Sequence, residues 1–293
     1  MQLNSQVKNK TKEQISENYR LKRMLVRGLI YLILIVGAAI CLLPFYSMII
    51  SSTHSNTDIS NKFLLLPGDQ FIENYKRLIK IVPIWRGFLN SVFLTVVGTS
   101  VTLYFSAMTA YGFSKYDFKY SKVLFSCVLA TLMIPGELSI IGFFRLMGNF
   151  HMLNTYWPLI LPGIANAFGT FFLKQNCDQA VSSEIIESAR MDGCGELKAF
   201  HRLVLPLLKP ALATFGILAF IGQWNSFMLP VITLFDNNLQ PLPVMVAMTR
   251  GQFGTDYGAQ YVGIVISIVP IMLLFAFLSR KIMDGVSAGA LKE

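Results

Sequence analysis

Residues 183–210 read SEIIESARMDGCGELKAFHRLVLPLLKP, and the placement of this stretch decides the fold. It is the longest charged, helix-compatible segment between apolar runs, so it belongs outside a bilayer. Ser183 followed by Glu184 and Glu187 predicts a helix start, because a serine hydroxyl and early carboxylates satisfy the exposed amide end. Ile185, Ala189 and Asp192 fall on one side, and Glu187 and Arg190 stand about one turn apart. Gly193 and Gly195 break the helix. A second helical pattern then places Leu197, Phe200, Val204 and Leu208 on one face until Pro206 and Pro210 interrupt it. The stretch therefore predicts two short helices hinged at glycine, with an apolar face carried on a polar loop. The plain alternative is a solvated connector.

Composition sets the surroundings of that loop. Apolar residues make up 54% of the 293-residue chain and charged residues 14%, against about 25% charged in a soluble domain. The chain belongs to the membrane class. Its formal charge of +9 comes with no basic groove or recognition module, so nucleic acid is not an expected partner and the lipid bilayer is. Basic residues at membrane boundaries account for the excess better. Cys41, Cys127, Cys177 and Cys194 have no paired or metal-type spacing, and His54, His151 and His201 are scattered. No metal site is expected.

Residues 1–26 read as a polar cytoplasmic tail with little to bury, expected to be mobile, and 27–50 as a first transmembrane helix. Its apolar run, 29–50, has the roughly 20 residues that span the hydrocarbon core. A cleaved signal peptide is disfavoured, because the run exceeds the usual ~7–15-residue core and lacks a clear cleavage site. Residues 51–87 form an outer loop. Within it Phe71, Tyr75, Leu78, Ile79 and Val82 line one face of an interfacial amphipathic helix. Residues 88–280 form the core membrane domain, with apolar runs at 88–113, 123–144, 154–173, 211–235 and 261–278 and a cytoplasmic loop at 174–210. A short tail, 281–293, closes the chain. The expected fold is an all-α membrane protein with six transmembrane helices and both termini cytoplasmic. With the N-terminus inside, eighteen of the 25 basic residues fall on the cytosolic side and seven on the outer side. The positive-inside bias thus puts 183–210 in the cytosol.

In that setting a resemblance becomes specific. Glu187-Ser188-Ala189, Asp192-Gly193 and Leu205-Pro206 on a long cytosolic loop resemble the "EAA" loop of the permease subunits of bacterial ATP-binding-cassette importers that work with an extracellular binding protein. The usual Glu-Ala-Ala has become Glu-Ser-Ala, a small-for-small change. Asn90-Ser91, the stretch from Ala110 to Phe113, the stretch from Met133 to Glu137, Trp224-Asn225 and the tail from Gly285 to Lys292 are also family-like. The tail is similar to that of the second permease of maltose-type carbohydrate systems. The likeness runs from about residue 25 onward. It implies the type I importer permease fold in the cytoplasmic membrane of a bacterium. It implies as partners a second related permease, two copies of a cytosolic ATPase and an extracellular solute-binding protein. It also implies that Glu184, Glu187, Ser188, Ala189, Asp192, Gly193, Leu205 and Pro206 couple the chain to the ATPase. Glu187 would pair with a basic group there and Ala189 would permit close approach. Asp192-Gly193 would end the first helix, and Leu205-Pro206 would fix the angle of re-entry. The tail would reach between the ATPase subunits; a frayed end is the alternative.

The chain has no GxxxxGK[ST] sequence, so no P-loop of its own holds ATP; ATP and Mg are expected on the partner ATPase, and no cofactor on this chain. Five of the six runs lack interior charges, unlike the relay of an ion-coupled carrier, which is the reading from another class. Another imported solute, such as a polyol or a peptide-like compound, is the alternative within transport. A sugar path needs hydrogen-bonding side chains amid apolar walls. The candidates are Glu137, Asn166, Gln223, Trp224, Asn225 and Ser226; Ser226 stands where the family often has an acidic residue. Each has a second reading as interhelical hydrogen bonding. By the resemblance, the sugar is held mainly by the other permease. The apolar face of 183–210 is expected to form an interface with another protein and not this chain's own core.

Overall fold

In lipid every backbone N–H and C=O must find its partner within the protein, so apolar runs fold as helices and interruptions need special surroundings. The computed structural model describes the backbone of residues 2–251 and 254–290 and the side chains of 22–136, 138–251 and 254–276. The first helix, α1 (Gln2–Ser51), contains the first expected span, and the polar residues ahead of it continue the same helix. Its apolar side chains from Met24 to Tyr46 are exposed, Met48 is half-buried and Ile50 is buried. Next come α2 (Asn56–Asn61), capped by Ser55 Oγ, and α3 (Phe71–Ile81). The latter corrects the expected amphipathic face. Asn74, Leu78 and Val82 are buried, whereas Phe71 and Ile79 are exposed. A fully buried Asn74 takes the place of an apolar anchor because its Nδ2 donates to Ser52 O at 2.7 Å and His54 O at 2.9 Å. Arg77 Nε then reaches Asp256 at 2.7 Å.

The helix α4 (Ile84–Lys115) is the spine of the molecule. After it the expected third span, 123–144, is not one helix but α5 (Ser121–Thr131), a 3₁₀ turn at Gly136–Ser139 and α6 (Ile140–Asn149). Pro135 has no N–H to donate, which makes this the natural breaking point. The fourth, 154–173, is likewise divided into α7 (Trp157–Ile160), a 3₁₀ segment at Leu161–Ala165 containing Pro162, and α8 (Ala167–Ala180). The loop follows as α9 (Ser183–Met191), α10 (Glu196–Ala199), a π-helical turn at Phe200–Val204 and α11 (Leu205–Leu207). The fifth expected span, 211–235, is α12 (Lys209–Trp224) and α13 (Met228–Thr233), separated at 225–227. After a 3₁₀ turn at Asn237–Leu239 come α14 (Leu242–Ala247), a two-residue antiparallel ribbon of β1 (Arg250–Gly251) and β2 (Gly254–Thr255), and α15 (Tyr257–Ala290). Among the described residues, Lys22–Ser51, Ile84–Lys115 and Tyr257–Ala276 are each long and apolar enough to cross a membrane. A fourth such element is Glu196–Leu207 with Lys209–Trp224, bent by 80°.

Three apolar clusters hold these pieces together, and α4 contributes to every one. Ala107, Ala110 and Tyr111 meet Leu173, Cys177, Phe200 and Phe215. Ile84 meets Leu78, Trp224 and Met245, and Leu94 meets Leu159 and Leu234. The approach of α8 to α4 requires Gly169. A Cβ there would lie 2.6 Å from Ser106 Oγ and closer still to the Phe215 ring. Gly112 of α4, by contrast, has open space around it. Overpacking of this kind costs about 1–3 kcal/mol. Gly169→Val should therefore lower the thermal unfolding midpoint of the detergent-extracted protein by several degrees, and Gly112→Ala should leave it unchanged or raise it.

Candidate functional site

The loop after α8 begins one residue earlier than its sequence indicates. Ser182, not Ser183, caps α9, its Oγ accepting from Ile185 N at 3.4 Å. Glu184 lies in the first turn, where its own backbone N–H and then the Ser182 hydroxyl hold its carboxyl below the usual range. At the other end Gly193 has φ of +75°, Gly193 N donates to Arg190 O at 3.0 Å, and Cys194 N donates to Ala189 O at 2.9 Å. This paired arrangement is a Schellman ending, which needs a residue that tolerates the left-handed region. Asp192-Gly193 thus ends the first helix as expected. Glu187, Ser188 and Met191 surround an open depression together with Glu184 and Arg190. Met191 is 89% exposed beside them. Ala189 is half-buried.

The second half of the loop overturns an expectation. Phe200, Val204 and Leu208 are buried in this chain's own core against Tyr111, Leu173 and Cys177, whereas Leu197, expected on the same face, is exposed. The apolar face therefore anchors the loop to the membrane helices. Its register comes from the π turn. Leu205 N donates to Phe200 O, one residue beyond the α-helical partner. Such widening accommodates Pro206, whose ring would clash with the carbonyl four residues earlier. Leu205-Pro206 is followed at once by the 80° bend into α12.

Arg190 does not pair with Glu187. Its Nε meets Glu196 Oε1 at 2.7 Å across the Gly193 turn, and its Nη2 lies 3.4 Å from Oε2. Tyr111 Oη donates to the same carboxylate at 3.1 Å, and Tyr116 Oη donates to it as well. The guanidinium also sits over the Tyr116 ring, 5.2 Å from its centroid. Arg190 and then Tyr116 hold the Glu196 carboxyl below its ordinary range; burial pushes the Tyr116 phenol up, and the bond to Glu196 adds to that. Nearby, Asp178 accepts from Ser114 Oγ at 2.6 Å and from Lys174 Nζ at 2.7 Å, tying the ends of α4 and α8. Sequence reading passed over Glu196, because a pair six residues apart does not share a helix face; only the reversal at Gly193 brings the two together.

A second constellation lies between the breaks of the fourth and fifth expected spans. Asn166, Gln223 and Ser226 line one cavity of about 350 Å³ with Thr102, Pro162 and Phe168. Asn166 caps α8, its Oδ1 accepting from Gly169 N at 2.6 Å, and Gln223 Nε2 donates to Leu159 O at 3.1 Å. Gly98 makes room for Gln223: a Cβ there would lie 2.8 Å from its Nε2. Within a bilayer, non-helical backbone is tolerated where it is buried in protein or lines a cavity. Trp224 points elsewhere. It is buried against Phe88 and Phe220, and its Nε1 donates to Ser267 O at 3.1 Å. Asn225 is exposed at the end of α12. The Glu137 side chain lies outside the described residues, though its backbone is in the 3₁₀ turn after Pro135. Among the described residues, no three His, Cys, Asp or Glu side chains converge as metal ligands.

The profile of the family described as "Binding-protein-dependent transport system inner membrane component" matches residues 102–289. The chain belongs to this family. It is 33% identical to the arabinooligosaccharides transport system permease AraQ of Halalkalibacterium halodurans, over 87% of this chain and 92% of that protein. To the polygalacturonan/rhamnogalacturonan transport system permease YtcP of Bacillus subtilis it is 32% identical, over 93% of this chain and 100% of that one. Among solved structures it superposes with a TM-score of 0.75 and 25% identity on a chain of a bacterial ABC transporter involved in the import of the acidic polysaccharide alginate. That match covers 87% of this chain and 96% of the other.

Two outcomes follow from the loop geometry. Forcing a branched residue into the left-handed region costs about 1–2 kcal/mol, so Gly193→Val should abolish uptake and stimulation of the partner's ATPase while insertion of the chain into the membrane is unaffected. The Glu196 contacts depend on the carboxylate. Because its folded pKa is lowered, their stabilisation is complete above the ordinary carboxylate pKa and is lost as pH falls through the lowered value. Hydrogen-exchange protection of residues 190–200 should hold at neutral pH and collapse only in acid below the usual carboxylate range; loss already at pH 6 would contradict this.

Proposed function

We propose that this chain is one permease subunit of a bacterial ATP-binding-cassette importer that carries an oligosaccharide or related glycan across the cytoplasmic membrane. The observation that carries the substrate path is the convergence of two helix breaks on one cavity. Asn166, Gln223 and Ser226 supply hydrogen-bonding groups there, and Phe168 supplies an aromatic face. Sugars are bound by that combination of polar groups and aromatic surface. The relatives named for arabino-oligosaccharides and for polygalacturonan support the substrate class.

In this reading the chain crosses the membrane six times, the third, fourth and fifth crossings being broken helices, with both termini in the cytoplasm. The loop from α9 to α11 then faces the cytosol. Glu184, Glu187, Ser188 and Ala189 meet a cleft of the ATPase, with Met191 filling an apolar hollow beside them. ATP and Mg are held by two copies of that ATPase, and hydrolysis is not a property of this chain. A related second permease completes the path, and an extracellular binding protein delivers the sugar. Closure of the ATPase pair pushes the loop. Because Phe200, Val204 and Leu208 are buried with Tyr111 and Leu173, the push passes directly into α4 and α8. Thr102 of α4 and Asn166 ahead of α8 border the cavity, and Gly98 of α4 packs against Gln223, so the same movement reshapes the path.

Vesicles holding the complete importer should take up labelled oligosaccharide only with ATP inside and the binding protein outside. Gln223→Ala should lower uptake about tenfold while the ATPase remains bound to the complex. Uptake driven by an ion gradient without ATP, or uptake of peptides and not sugars, would contradict this function.

A further inference from the structure

The Gly193 turn is a flexible joint at the point where a docking helix must transmit force, yet the structure bridges it. Arg190 precedes the turn and Glu196 follows it, and their side chains meet at 2.7 Å. The carboxylate also gathers two phenols from a part of the chain distant in sequence: Tyr111 in the last turns of α4 and Tyr116 just beyond its end. One carboxylate thus joins three pieces of chain: the helix before the turn, the helix after it and the end of the spine. The two rings are themselves packed edge to face with centroids 5.4 Å apart, and Tyr111 stacks on Phe200 at 5.8 Å. Phe200 is the buried anchor of the second half of the loop. The joint is therefore closed by a polar latch outside and by aromatic packing inside.

We propose that Glu196 is a positioning residue for transport: it locks α9 and α10 to the end of α4, so that displacement of the docking helix moves α4 as a unit with it. The inference rests on the coupling-loop reading above and goes beyond it in assigning the route. Without the carboxylate, α9 would swing about Gly193, whose φ of +75° and unfilled surroundings offer no steric stop. The ATPase would still dock on α9 and still close, but its closure would be spent on bending the loop. Glu196 lies on the side of α10 that meets Arg190 and the tyrosines, and it does not border the depression formed by Glu184, Glu187 and Met191. Its loss should uncouple the two activities without undocking the ATPase. A residue that merely supported folding would lower uptake and ATP hydrolysis in proportion to the amount of assembled importer.

The test uses the complete importer in vesicles and measures three quantities: ATPase bound per permease, basal ATP hydrolysis, and sugar carried per ATP in the presence of loaded binding protein. Glu196→Gln keeps the side chain's size and removes its charge. The expected result is normal ATPase binding and basal hydrolysis with at least a tenfold fall in sugar carried per ATP. Tyr111→Phe, which removes the other phenol on this carboxylate, should give a partial loss, and adding it to Glu196→Gln should be no worse than Glu196→Gln alone, since both remove one latch. Tyr116→Phe, which deletes a single hydroxyl, should give a smaller loss of about threefold and serves if Glu196→Gln fails to assemble. Wild-type coupling in Glu196→Gln, losses that multiply in the double variant, or loss of the bound ATPase would each overturn the proposal. Glu187→Lys separates this from the underlying reading. If it leaves ATPase binding intact, the docking assignment fails; if it releases the ATPase while Glu196→Gln couples normally, only the latch fails.

Discussion

Burial of Phe200, Val204 and Leu208 in the core formed with α4 and α8 is the contact on which the rest of the arrangement depends. A polar loop leaving the membrane would ordinarily be free to move independently of the helices that it joins. Here three side chains one helical turn apart are removed from solvent, and each contributes on the order of 1.5–3 kcal/mol for a full side chain transferred from water. The π turn is what aligns them, since it inserts the extra residue that Pro206 requires without rotating Phe200 and Leu208 onto different faces. Pro206 and the aromatic anchor are two parts of one local solution.

The same helix that receives this anchor borders the cavity lined by Asn166, Gln223 and Ser226. Along α4, Tyr111 touches the loop, Thr102 and Gly98 lie at the cavity or beside Gln223, and Ile84 joins the cluster around Trp224 and Leu78. Close approach by small residues, as at Gly98, Gly163 and Gly169, lets backbones and short polar groups pack without large apolar knobs, as helices in membranes commonly do. The spine thus carries the anchored loop at one end and the cavity along its side. Trp224 fixes α12 against α15 through its bond to Ser267 O.

The membrane class, the helix at 84–115, the glycine-terminated helix after Ser182 and the proline-directed bend were legible because each rests on local chemistry: apolar length, caps and missing N–H groups. The broken helices around Pro135 and Pro162 were not, since hydropathy reports how apolar a run is and says nothing of whether its hydrogen-bond ladder is continuous. The destination of Phe200, Val204 and Leu208 was misread for a related reason. Periodicity identifies an apolar face but not what covers it. Glu196 stayed hidden because its partners, Arg190, Tyr111 and Tyr116, become neighbours only through the turn and the tertiary contact with α4. The family-like residues of the loop were visible in sequence, and family membership follows from the match over residues 102–289.

The central claim is that the exposed face of α9 seats on a separate ATPase. Placing a photoreactive group at Met191, the side chain that stands 89% exposed beside Glu187, tests this most directly in the intact importer. The account predicts a covalent adduct with the ATPase subunit whose yield changes when ATP is added. Adducts with lipid alone, in an importer that still carries sugar, would contradict it.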